Sequence, residues 1–203
     1  MNLSELTIAL ARIREASLIE KRRLVERLVA SVSDSDLSLV VAVLAGEPLT
    51  DEKVALSRNQ IMKILSSVSG RSVAEIRAEL RRFGSIPLVA ESILGARKQR
   101  EIAQRKAGVD QVLSTIQALS QLGPTRSAAA KLAHLLSTSD PAAAGVILAI
   151  LLEESPSSVP RSMLADTLAT RFGTNQTKVF SLAAEKGWRC AALALVAGAI
   201  CLP

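Results

Sequence analysis

The chain has 203 residues, with 25 Lys and Arg against 19 Asp and Glu, a net charge of +6, and 49% hydrophobic but only 2% aromatic content. With 3 Phe, 1 Trp and no Tyr, the core must come from Ala, Leu, Val and Ile, which argues against an all-β protein and for an all-α one. The basic excess suggests a polyanionic partner, and two cysteines, Cys190 and Cys201, at no metal or redox spacing fit reduced thiols in an intracellular, cytoplasmic or nucleoid protein.

Apolar residues at helical spacing predict helices over Leu3 to Arg14 and Leu18 to Ser31. Asp34 and Ser35 offer caps for an apolar helix, Asp36 to Ala45. After the loop GEPLTDEK, a helix runs from Lys53 or Ser57 to Val68 and stops at Gly70. Ser72 to Glu75 (SVAE) reads as a capping box, opening a helix that runs to Phe83 and stops at Gly84. A short apolar helix, Ile86 to Gly95, and a highly charged one, Ala96 to Gly108, follow. Val109 to Gln121 and Thr125 to Leu136 come next. Asp140 then caps a helix with Pro141 in its first position, where the missing N–H costs nothing. The chain continues with helices at Arg161 to Phe172, stopped by Gly173, Asn175 to Lys186, stopped by Gly187, and Arg189 to Ile200. The apolar run from Cys190 to Leu202 falls short of the roughly 20 residues a membrane span needs. It reads as a buried closing helix, with no membrane partner.

This order repeats. An offset of 103 brings Arg58 onto Arg161, Ile61 onto Leu164, Leu65 onto Leu168, Gly70 onto Gly173, Ile76 onto Val179, Gly84 onto Gly187 and Ile93 onto Val196. Upstream, the offset becomes 107. The expectation is one all-α domain over 1–203, made of two pseudo-repeated multi-helix lobes, about 1–95 and 109–203, joined by a basic helix, about 96–108. That connector holds RKQREIAQRK, five basic residues against one acidic.

Catalysis has little to stand on. The one histidine, His134, lies beside Leu135 and Leu136 and reads as a partly buried core residue. No nucleophile elbow, P-loop or metal-ligand spacing occurs. No cofactor is expected. Phosphate binding has more support. In GPTRSAAAK, residues 123–131, Thr125, Arg126 and Ser127 open a helix and Lys131 follows one turn on. Unpaired N–H groups and the helix dipole attract phosphate there, and small Ala residues allow close approach. Arg71 and Ser72, Arg161, and Thr174 mark similar helix starts. Arg97, Lys98 and Arg100 of the connector could face a phosphate backbone. Single-strand binding is disfavoured, because stacking aromatics are scarce.

The segments LAGEPLTDEKVALSRNQIMKIL and SGRSVAEIRAELRRFGSIPLVAESIL, with the helix start Gly123 to Lys131, carry a resemblance. In this order the chain resembles, over most of its length, the N-terminal DNA-binding domain of ATP-dependent DNA ligases of the archaeal and eukaryotic type. That family's Gly-Asp-Leu-Gly-like corner reads Gly84-Ser85-Ile86-Pro87 here, and LLEESPSSVPRS replaces its later Arg-Ile-Gly-like segment. The resemblance implies sequence-nonspecific binding of double-stranded DNA through backbone and minor-groove contacts, in repair or replication, with Ser127 and Lys131 in matching places. The family's Lys-x-Asp-Gly nucleophile is absent. The expectation is therefore a non-enzymatic binding protein, with a separate DNA-processing enzyme as a further partner. The alternative is a helical-repeat scaffold for acidic proteins.

Overall fold

The computed structural model describes residues 3–48, 56–98, 118, 126–155 and 157–198. Among them are eleven helices and no strand: α1 (Leu3–Glu15), α2 (Leu18–Ser31), α3 (Asp34–Ala45), α4 (Arg58–Ser69), α5 (Val73–Phe83), α6 (Ile86–Lys98), α7 (Arg126–Thr138), α8 (Pro141–Leu151), α9 (Arg161–Phe172), α10 (Gln176–Lys186) and α11 (Trp188–Val196).

Their ends follow from local chemistry. Ser57 with Gln60 and Ser72 with Glu75 form full capping boxes at α4 and α5. Asp140 accepts from the Ala143 N–H at α8, with Pro141 in the first turn, and Asn175 accepts from the Lys178 N–H at α10. Each bond satisfies a donor that the helix itself leaves open. Several limits differ from the sequence reading, among them the last helix, expected over Arg189 to Ile200, which spans Trp188–Val196. Helix α3 begins at Asp34, with Ser33 as its N-cap residue. Helix α6 runs through Gly95 to Lys98 without a break, and a Cβ at Gly95 would lie 3.8 Å from Pro141 of α8. That is an ordinary contact, so Gly95 is neither a helix stop nor a position where packing demands glycine.

The described helices form two compact units that do not follow the two halves of the chain. One, the α3 unit, takes Ile8–Leu49 together with Glu153–Pro203; the other, the α8 unit, takes Asn2–Thr7 and Thr50–Leu152. The expected lobes at 1–95 and 109–203 are thus replaced by units that each draw on both halves. The physical reason lies in α3 and α8. Both are largely apolar all round after the first turn, and most of their residues are buried. Such a helix needs cover all round. Helix α3 gets it from α2, α9 and α11, and α8 from α6 and α7.

The two units repeat one another's packing. In the α8 unit α4 packs on α5, α6 and α7, α5 on α6, α6 on α8, and α7 on α8. In the α3 unit α9 packs on α10, α11 and α2, α10 on α11, α11 on α3, and α2 on α3. Every pair in the first set has its counterpart in the second under the offsets of 103 and 107.

Polar ties between distant parts of the chain close the α3 unit. The Arg171 guanidinium donates to the carbonyls of Val29 and Val32, at the C-terminal end of α2, and pairs with Asp34 at 2.6 Å. Lys21 Nζ donates to the Ser157 carbonyl at 3.1 Å, and Ser155 Oγ to the Leu44 carbonyl at 2.9 Å. The Glu47 carboxylate accepts from the backbone N–H of Trp188 at 2.6 Å and of Arg189 at 3.2 Å. A carboxylate from the loop after α3 thereby caps the first turn of α11, where the helix dipole favours negative charge.

Gly84 and Gly187 show how two equivalent corners diverge. Both have positive φ. Gly84 sits at φ 74°, ψ −9°, in the left-handed region that ends many helices. Gly187 sits at φ 82°, ψ 161°, a region open almost only to glycine. A Cβ at Gly84 meets nothing, whereas one at Gly187 would lie 3.2 Å from Glu47 Oε2. Gly84→Ala is therefore expected to cost about 1 kcal/mol, and Gly187→Ala about 2–3 kcal/mol. Chemical denaturation of the two variants measures the difference; equal losses would contradict the assignment.

Candidate nucleic-acid interface

Helix α7 presents its first turns outward. Ala128 and Leu132 are fully buried, with Leu135 and Leu136 beside them, and they pack α7 on α4 and α8. This stripe fixes the helix's rotation, so Arg126, Ser127, Ala130 and Lys131 all point to solvent. No acidic residue stands in the first turn. The exposed end thus combines backbone donors, the positive end of the dipole, a guanidinium, a hydroxyl and an ammonium. Exposed Ala130 leaves room for a bulky anion beside them.

His134 corrects a sequence expectation. It is exposed rather than part of the core. Leu132, Leu135 and Leu136 take the buried stripe, and position 134 falls on the opposite side.

The other expected contacts differ in what surrounds them. Ser72 is engaged with its own helix: its hydroxyl accepts from the Glu75 N–H at 3.2 Å and donates to Glu75 Oε2 at 2.7 Å. The Ser72 hydroxyl and the Ser72 backbone N–H hold the Glu75 carboxyl below its ordinary range. A carboxylate therefore already occupies the start of α5. Arg71 lies 3.8 Å from Glu79, which also faces Arg82 at 3.9 Å. Arg161 is exposed as the first residue of α9, after Pro160, which supplies no side-chain cap. Thr174 is half-buried, and its Oγ1 is buried without a hydrogen-bond partner. Arg97 and Lys98 are the last two residues of α6. Thr125, Arg100 and the rest of the expected connector, like Cys201, lie outside the described residues. Arg126, Ser127, Lys131, Arg71 and Ser72 belong to the α8 unit, and Arg161 and Thr174 to the α3 unit.

Charge and apolar exposure divide between the units. Among the described residues the α8 unit holds ten Lys and Arg against five Asp and Glu, and the α3 unit eleven against ten. The exposed large hydrophobic side chains, Ile8, Leu18, Ile19, Phe180 and Leu193, all belong to the α3 unit. Cys190 is a free, partly exposed thiol. The described residues contain no cluster of side chains able to hold a metal ion, and none of their helices is long and apolar enough to cross a membrane.

Comparison with known proteins gives a consistent match. The family described as DNA ligase N terminus matches residues 2–169. The chain is 28% identical over 160 residues to a DNA ligase of Methanothermobacter thermautotrophicus, covering 76% of this chain and 29% of that protein. It is 25% identical over 164 residues to a DNA ligase of Cenarchaeum symbiosum, covering 77% of this chain and 28% of that one. The chain thus spans less than a third of the length of these relatives. An all-helical fold and a match over most of its residues agree: the chain belongs to the DNA ligase N-terminus family.

Proposed function

We propose that this chain binds double-stranded DNA without sequence preference, through the phosphate backbone and the minor-groove side, in DNA repair or replication. The observation that carries the reading is the family match over residues 2–169. The outward start of α7, with Arg126, Ser127 and Lys131 exposed and no acid in the first turn, supports phosphate as what the domain meets. So does the basic excess of the unit that holds it. Contacts of this kind position a protein on a duplex without reading its sequence.

The test is fluorescence anisotropy of wild type, Arg126→Glu and Lys131→Glu on duplexes of different sequence and on single strands, at several salt concentrations. Each variant should weaken binding to all duplexes about equally and reduce the salt slope by about 0.9 per lost contact. Single strands should bind less well, since stacking platforms are few. Wild type without salt-dependent duplex binding even at low ionic strength would remove the reading.

The exposed aliphatic and aromatic side chains of the α3 unit favour a second role beside DNA binding: contact with a separate DNA-processing enzyme. The chain by itself is read as having no nucleotidyl-transfer chemistry, because its sequence contains no Lys-x-Asp-Gly. Incubation with labelled ATP, followed by denaturing electrophoresis, should leave the protein unlabelled. A labelled band would refute this.

A further inference from the structure

We propose that α5 carries a second, separate phosphate-contact ridge, formed by Arg77 and Arg81; this rests on the duplex-binding reading above. The two arginines stand one turn apart on an exposed strip, Ala74, Arg77, Ala78 and Arg81. Among the described residues, neither has an ion-pair partner. Arg71 and Arg82, by contrast, both face Glu79, and Arg82 also lies over the Phe83 ring at 5.2 Å.

The internal repeat provides a control. Helix α10 is the counterpart of α5: both have 11 residues, and they pack on equivalent neighbours. The matching exposed strip on α10 reads Thr177, Phe180, Ser181 and Ala184. The same helix in the same packing therefore forms without a positive charge at any of these positions. The arginines of α5 are not required by the fold, and their position calls for a ligand.

The ridge fits a phosphate backbone better than a protein. Side chains four apart on a helix have Cβ atoms about 5–6 Å apart. Two arginines at that spacing can each reach one of two neighbouring phosphates of a strand, and the alanines beside them, Ala74 and Ala78, keep the strip low. Protein interfaces are anchored by large apolar or aromatic residues at their centre, and the α8 unit exposes none among its described residues. Helix α4 packs on both α5 and α7 and carries the exposed Lys63. Positive charge is therefore available on all three neighbouring helices.

The experiment is the salt titration of duplex binding by wild type, Arg77→Gln/Arg81→Ala and Arg77→Lys/Arg81→Lys, with melting temperatures measured in parallel. The neutral pair should reduce the slope by about two units, near 0.9 per contact, and melt with wild type. The lysine pair should keep the wild-type slope. If wild type binds and the neutral pair leaves the slope unchanged, the ridge is overturned while the α7 reading stands; an acidic protein as the true partner of α5 would give this result. A slope lost in both pairs, or lost together with stability, also overturns it. Wild type that fails to bind duplex at any salt overturns the ridge and the duplex reading together.

Discussion

The burial of α3 and α8 governs the rest of the structure. Each is largely apolar after its first turn and buries most of its residues, and enclosing such a helix takes several neighbours. The chain finds them by exchange. The opening helices of the first half are closed by α9, α10 and α11 of the second, and α4, α5 and α6 by α7 and α8. Arg171 reaching the end of α2, Glu47 capping α11 and Ser155 bonding to Leu44 are polar consequences of the same exchange. These ties hold because the hydrophobic contacts bring their partners into reach.

The exchange also explains how a repeated sequence yields two units with different surfaces. Buried positions correspond across the repeat, as Ile61 does with Leu164 and Ile76 with Val179, because both units need the same packing. Exposed positions are free to diverge. Arg77 becomes Phe180 and Arg81 becomes Ala184, and the N-terminal cap Ser57, closed by Gln60, becomes the side-chain-free cap Pro160. One unit keeps a basic excess, and the other exposes aliphatic and aromatic side chains with nearly balanced charge. One architecture thus carries two surfaces of different chemistry.

Much of this was legible in the sequence. Helix limits followed from caps and glycine stops, and α4, α5, α9 and α10 match their expected spans to within a residue or two wherever a Ser, Asn or Gly marks the end. The repeat was readable because its glycines and apolar positions keep constant offsets. The grouping into units was not, since an offset records which helices correspond but not which helices touch. Gly95 misled because a single glycine weakens a helix without ending one that is packed on its neighbours. His134 misled because its leucine neighbours in sequence lie on the other side of the helix. Arg77 and Arg81 do not stand out from the charges around them within α5 alone; comparison with the neutral α10 strip, a signal present at the offset of 103, singles them out.

The measurement that tests the account most directly is to express residues 1–108 and 109–203 as separate chains. If each unit needs both halves, either fragment alone should be unfolded, with little helical circular dichroism. The two together should co-purify, recover a cooperative melt and bind duplex DNA with the salt dependence of the intact chain. Two fragments that fold independently as stable monomers would contradict the exchange, and with it the placing of the α7 interface in a unit built from both halves of the chain.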